Sequence, residues 1–211
     1  MEFGYWGLKA RGFMIELVLN AGGADYTRTT MTSPAEWGAK KSELNEKSQF
    51  KGYANLPYLI DGDRTLFESM AIMKYVARKY NFFATEEPAA VTQDIVDSVI
   101  SDMYGSVYSK RFQKPEDTRG PACKAWAKDM SKLEGLDSLL SKSTFLAGEK
   151  KTYVDFMLLA LGDMLVFWES DVYEKCANIK RHKATMLECE KTAAYYEKVK
   201  DMPNMPPLDM M

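Results

Sequence analysis

Asn55 to Tyr80 reads NLPYLIDGDRTLFESMAIMKYVARKY, and the changes of period along it decide the fold class. Pro57-Tyr-Leu-Ile60 and Thr65-Leu66-Phe67 are short apolar runs of the strand type. Asp61-Gly62 between them is a strong hairpin signal, with Asp63 and Arg64 expected to lengthen the loop beyond two residues. From Glu68 to Tyr80 the period becomes helical through Ile72, Tyr75, Val76 and Lys79. The segment therefore predicts a hairpin running into a helix.

Working towards the N-terminus, Ser33-Pro34 with Glu36 reads as an N-cap and first turn leading into a polar helix. Tyr26–Met31, rich in Thr, reads as a strand. Ile15, Leu17, Val18 and Leu19 form an apolar helix face that Gly22-Gly23 closes. Phe3–Trp6 is a short aromatic strand. The order strand, helix, strand, helix, hairpin, helix implies a small mixed sheet covered by helices.

After Pro88 the strand signals stop. Ala89–Phe112, Pro121–Leu140, Tyr153–Trp168 and Ala177–Lys200 read as helices, and Thr152-Tyr-Val-Asp155 fits a capping box. The chain closes on MPNMPPLDMM, whose three prolines rule out a regular helix, with Met210-Met211 expected to be mobile or to cover a pocket. Two domains follow: residues 1–82, α/β, and residues 89–211, all-α.

Length and composition bound the function. A chain of 211 residues suits two modest domains or one of about 200. Apolar residues at 46% and charged residues at 27% are ordinary for a soluble globular protein. A net charge of −2 argues against nucleic-acid binding, which would need a basic surface. Phe156–Trp168 is too short to span a bilayer and is interrupted by Gly162 and Asp163, and no secretory signal opens the chain. Cys123, Cys176 and Cys189 are odd in number and lack metal-ligand spacing, which points to a reducing compartment and hence the cytosol.

Three places carry chemistry. Leu56-Pro57 opens a strand after a turn. A cis bond there would turn the backbone groups of Leu56 outward towards an extended peptide, although an ordinary trans proline at a strand edge is the favoured account from the residues alone. Glu68-Ser69 opens a helix, where N–H groups and the dipole favour an anion, so the Ser69 hydroxyl suits a carboxylate and Glu68 an ammonium. The bland account is that both residues simply favour a first helical turn. Tyr5 ends the first strand between Gly4 and Gly7, with its hydroxyl expected near the exposed sheet edge. A tyrosine hydroxyl donating to a thiolate favours the ionised sulfur. Lowering a free thiol's pKa from roughly 8.5 by about two makes it mostly ionised at neutral pH. Read singly, Tyr5 is one of 12 tyrosines and belongs in a core.

The order of these signals is more specific than any one of them. GYW at Gly4–Trp6, NLPYLIDG at Asn55–Gly62, ESMAIMKYVARKY at Glu68–Tyr80 and FLAGEKKTYVDF at Phe145–Phe156 resemble the cytosolic glutathione transferases, most closely the Mu class. The resemblance extends along nearly the whole chain. It implies a thioredoxin-like N-terminal domain, a helical-bundle C-terminal domain, a two-fold homodimer, glutathione as co-substrate and no metal. Tyr5 matches the family's catalytic tyrosine. Trp6, Trp37 and Lys41 match residues at the glycine end of glutathione. Asn55, Leu56 and Pro57 would hold the cysteinyl part, and Glu68 and Ser69 the γ-glutamyl end. Asp102 matches an aspartate reaching the glutathione of the opposite subunit, and Tyr53 the aromatic key entering the partner.

The likeness also shows departures. The chain is longer than Mu enzymes between Trp37 and Asn55. Arg11 replaces an apolar pocket residue, Phe112 stands where a second pocket tyrosine is common, and Gly105 replaces a larger side chain. A hydrophobic electrophile would lie between the domains against Leu8, Arg11, Gly105, Tyr108 and Phe112. The reading is conjugation of the glutathione thiolate to electrophilic small molecules. The alternatives are a non-catalytic structural or ligand-carrying protein, as lens crystallins of this fold are, and a specialised glutathione-dependent enzyme such as a prostaglandin isomerase. His182, within Lys180-Arg-His-Lys183, is expected on a solvated helix face. Cys123 and Cys176 are expected to be incidental, and the 14 methionines mostly core filler.

Overall fold

A computed structural model of the chain describes residues 1–205, so Met210-Met211 and the rest of the final segment lie outside the described residues. The sheet has the order β2-β1-β3-β4. β1 (Glu2–Trp6) pairs parallel with β2 (Thr27–Met31), and on its other side antiparallel with β3 (Tyr58–Asp61), which pairs with β4 (Arg64–Leu66). Side-chain alternation along a strand sorts the residues between the two faces. Phe3, Tyr5 and Leu59 pack with α1 (Ala10–Ala21) and α3 (Ser69–Lys79), whereas Trp6 and Tyr58 pack with α2 (Pro34–Lys47).

Local signals position most of these elements as expected. The Ser33 hydroxyl accepts the Glu36 N–H at 3.2 Å, with Pro34 in the first turn. Gly22 caps α1, and Gly23 follows at φ 68°. The hairpin differs from expectation. Asp61 pairs with Arg64, so only Gly62 and Asp63 form the turn, and Gly62 takes a φ of 62° that glycine accepts without a Cβ penalty.

The helical part comprises α4 (Ala89–Arg111), a 3-10 turn at Glu116–Thr118, α5 (Arg119–Ala127), α6 (Ser131–Leu140), α7 (Tyr153–Phe167), the short α8 (Val172–Lys175), α9 (Ala177–Leu187) and α10 (Glu190–Lys198). α7 is its axis, buried on nearly all sides, as its unrelieved apolar sequence requires. It runs unbroken through Gly162 and Asp163, because Asp163 is partnered by Lys9 at 3.1 Å. The capping box at Thr152 is present, with the Thr152 N–H donating to the Asp155 carboxylate at 2.7 Å.

Three expectations for this half are corrected. The predicted helix Pro121–Leu140 is two helices, since the Asp129 carboxylate accepts the Ser131 N–H at 3.1 Å and starts a new first turn. The predicted helix Ala177–Lys200 is also two, because the chain is extended at Cys189, and α10 then packs on α1 with Thr192 and Tyr195 buried. His182 is not solvated. It is 1% exposed, and its Nε2 lies 2.9 Å from Asp155 Oδ1. Lys180 and Arg181 before it are exposed, while His182 itself faces α7. One core is continuous from β1 through α1 into α7. Among the described residues no helix is long and apolar enough to cross a membrane.

Candidate active site

Tyr5 lies in the central strand, and its ring faces the start of α1. Gly12 makes this approach possible: a Cβ there would overlap the Tyr5 ring. The hydroxyl is therefore not at an open edge, as the sequence suggested, because Tyr5 is 6% exposed. Burial raises its pKa to about 12, against the opposing pull of the Arg11 backbone N–H and of the Arg11 and Arg28 charges. At neutral pH it is a protonated phenol, available as a hydrogen-bond donor.

Arg11 does not simply line an apolar pocket. Its guanidinium lies 4.7 Å from the Tyr108 ring centre, and Nη1 reaches Ser69 Oγ at 3.5 Å. Arg11 thus joins the α1 turn to the opening of α3 and to α4. Ser69 is buried at the N-terminus of α3. Glu68, before it, is exposed and holds φ 66°, a left-handed value that costs a non-glycine residue of order 1–3 kcal/mol and persists where the surroundings impose it. The Leu56-Pro57 bond is cis, contrary to the account favoured from the residues alone. Asn55 Oδ1 accepts the Leu56 N–H at 2.9 Å, so the Asn55 side chain orders the backbone of this turn.

Trp6, Trp37 and Leu56 are brought together by one small cluster whose buried members are Met31, Leu44, Ala54, Tyr58 and Phe67. Lys41, one turn beyond Trp37 on α2, is exposed. Asp102 projects from α4 and pairs with Lys132 of its own chain at 3.2 Å. Tyr53 is 69% exposed in the loop after α2, where Asn45 Oδ1 accepts the Gly52 and Ala54 N–H groups. Of the expected pocket residues, Arg11 and Tyr108 touch and Leu8 packs on the core. Gly105 is exposed, and Phe112 is half exposed at the end of α4.

Residues 1–78 match the glutathione S-transferase N-terminal domain family, and residues 96–199 match the C-terminal domain family. Glutathione S-transferase Mu 1 of Rattus norvegicus is 30% identical over 204 residues, 92% of this chain and 89% of its own. The chain belongs to the glutathione S-transferase family. Mu 1 of Bos taurus is 29% identical, covering 96% of this chain and 93% of its own. Among solved structures, the glutathione S-transferase Blo t 8 superposes with a TM-score of 0.88 at 26% identity, over 99% of this chain and 98% of that one. The Pi-class enzyme of Onchocerca volvulus has the same fold, with a TM-score of 0.81 at 21% identity, over 97% of this chain and 96% of that one.

Two groups in this transferase escape a reading of the sequence. Tyr104 is 3% exposed, its ring stacks on Tyr108 at 6.4 Å, and its hydroxyl has no hydrogen-bond partner among the described residues. Burial raises both pKa values. The i, i+4 spacing of the two tyrosines on α4 was the available signal. Arg28 gave none. From β2 it donates to Glu16 Oε1 and to the Trp6 carbonyl, both at 2.8 Å, and so anchors the end of β1. Among the described residues no group of His, Cys, Asp and Glu could hold a metal ion.

Proposed function

We propose that this transferase conjugates the thiolate of glutathione to hydrophobic electrophiles, with Tyr5 as the donor that stabilises the sulfur anion. The observation that carries the reading is the meeting of the neutral Tyr5 hydroxyl, the Arg11 backbone N–H and the Arg11 guanidinium beside Ser69. A hydroxyl kept protonated donates to a thiolate, and a fixed cation beside it adds to the preference for the ionised sulfur.

The tripeptide would lie extended across the sheet edge. Ser69, the α3 N-terminus and Arg11 supply donors for the γ-glutamyl carboxylate, and Glu68 an acceptor for its ammonium. Leu56 and Pro57, with the turn ordered by Asn55, offer the backbone for strand-like pairing with the cysteinyl part. Trp6, Trp37 and Lys41 take the glycyl end. The electrophile would meet the sulfur near Leu8, Arg11, Gly105, Tyr108 and Phe112. Holding both reactants there supplies much of the rate gain.

We divide the chain at residues 1–82 and 89–211 and place it in the cytoplasm as a homodimer. Exposed Tyr53 and Phe50, with Val91 and Ile95 on α4, supply apolar surface for a partner. Tyr53 acts as the key, and Asp102 reaches the partner's glutathione. The test is conjugation of a generic aryl halide by wild type and Tyr5→Phe. Loss of one fixed donor predicts a fall of about 10²-fold in kcat. Equal rates would remove Tyr5 from the mechanism.

A further inference from the structure

We propose that Lys9 is a positioning residue: together with Asp163 and the backbone at Pro203–Asn204 it fixes the first turn of α1, and thereby aims Arg11 at Tyr5 and Ser69. The proposal rests on the reading that Tyr5 and Arg11 handle the glutathione sulfur.

The first backbone N–H groups of any helix lack intrahelical partners. In α1 the first of them are divided between two tasks. Lys9 N–H donates to the Pro203 carbonyl at 2.8 Å, and Ala10 N–H to the Asn204 carbonyl at 2.9 Å. The next, that of Arg11, faces the Tyr5 hydroxyl. The Pro203–Asn204 segment thus takes the Lys9 and Ala10 donors and leaves that of Arg11 for the tyrosine hydroxyls. Met205, the next residue, is buried in the main core and holds this strap down.

The turn is one the chain would not adopt unaided. Ala10 has φ 33°, in the left-handed region that an alanine avoids, and such a residue persists only where its neighbours over-determine it. The backbone strap supplies one constraint and the Lys9 side chain the other. Lys9 is 5% exposed, with Nζ 3.1 Å from Asp163 Oδ2 and 5.2 Å from the Phe13 ring centre. Asp163 also accepts from Tyr196 and lies 3.6 Å from Lys183. Asp163 on α7 and the Tyr196 ring on α10, whose centre lies 5.9 Å from Nζ, therefore hold the residue two before Arg11. A buried ammonium held this way fixes its own backbone, because leaving Asp163 would strand the charge.

Lys9→Met removes the grip and leaves Asp163 with Lys183 and Tyr196, whereas Lys9→Arg restores a cation. Three quantities separate positioning from bulk stability: the thiolate absorbance of bound glutathione at fixed pH, kcat and KM for glutathione with an aryl halide, and the thermal midpoint. Small misplacements at a reacting centre cost heavily, so Lys9→Met is expected to lower kcat about tenfold, with the thiolate fraction falling in step. KM for glutathione should rise less than kcat falls, since Arg11 is one of several groups proposed to hold the tripeptide, whereas the sulfur depends on its placement beside Tyr5. Lys9→Arg should recover most of both. A Lys9→Met protein that loses only thermal stability overturns the proposal, as does a Lys9→Arg protein no better than Lys9→Met. Should Lys9→Met fail to fold, Asp163→Asn, which keeps one acceptor oxygen but removes the charge, is read the same way. A wild type with neither thiolate signal nor conjugation refutes the transferase chemistry and this inference with it. An active wild type with unaltered Lys9 variants refutes the inference alone.

Discussion

The guanidinium of Arg11 lies 4.7 Å from the ring centre of Tyr108, on a helix from the other half of the chain, while its Nη1 reaches Ser69 at 3.5 Å. One side chain therefore touches both a residue proposed for glutathione and one proposed for the electrophile. Replacing it with Met keeps much of the apolar stem and removes the cation. A contribution of about 1.4 kcal/mol to the sulfur anion corresponds to tenfold in rate. Arg11→Met is expected to lose roughly that in kcat/KM for glutathione, and Arg11→Lys to recover only part, since an ammonium lacks the planar fork that can meet Ser69 while lying on Tyr108. Steady-state kinetics with glutathione varied would decide it, and an unchanged kcat/KM would remove Arg11 from the glutathione site.

The protonation of Tyr5 fixes the shape of the pH profile. With its pKa raised by burial to about 12, the phenol keeps its proton across the neutral range. The rise of kcat/KM with pH must then come from the glutathione thiol, and no fall from Tyr5 ionisation is expected until near pH 12. In Tyr5→Phe the midpoint of that rise should move up towards the free thiol value of roughly 8.5. Profiles of the two proteins with the same aryl halide test this, and coincident midpoints would contradict it.

How much of this was legible in the sequence follows the range of the interactions. Helix starts, the hairpin and the capping box at Thr152 depend on residues within a few positions, and each has its chemistry written locally. The break at Cys189 depends on where α10 must pack, which local periodicity does not carry. The break at Asp129 rests on one local hydrogen bond to Ser131 that hydrophobic periodicity does not register. The reach of Arg11 to Ser69 and Tyr108, the anchoring of Trp6 by Arg28 and the pairing of Lys9 with Asp163 all join residues distant in the chain. Charged neighbours were read as a solvated face around His182, yet one residue of that face turns inward because Asp155 offers it an acceptor. The order of the family's motifs could be read; the long-range contacts of the side chains among them could not.

Cysteine reactivity should follow burial and local donors. Cys176 is buried, and desolvation raises its pKa to about 11, while burial also raises that of Cys123. Cys189 is half-buried at the start of α10, and its pKa is lowered: burial opposes this, but hydrogen bonds from Thr192 and the nearby Lys151 charge prevail. The thiolate is the reactive form. Native protein treated with iodoacetamide near neutral pH should therefore be alkylated first at Cys189, with Cys123 and Cys176 labelled only on unfolding. Peptide mapping after timed quenching shows the order, and early labelling of Cys176 would be inconsistent with its burial.

Asp155 is the structural hub of the helical domain. Its carboxylate accepts the Leu146 N–H at 2.9 Å and the Thr152 N–H at 2.7 Å, and it lies 2.9 Å from His182 Nε2. All of this is buried. Asp155→Ala would strand two backbone donors and a ring nitrogen away from water. An unsatisfied buried group costs about 1–3 kcal/mol, so the variant should lose several kcal/mol of unfolding free energy. His182→Ala should lose less, because Asp155 keeps its backbone donors, although a cavity beside Phe145 adds to the cost. Neither residue touches Tyr5 or Arg11, so kcat of the surviving folded fraction should stay near wild type. Urea unfolding followed by far-ultraviolet circular dichroism, beside kinetics at low temperature, separates the two effects. If Asp155→Ala unfolds at the wild-type midpoint, the hub role is wrong.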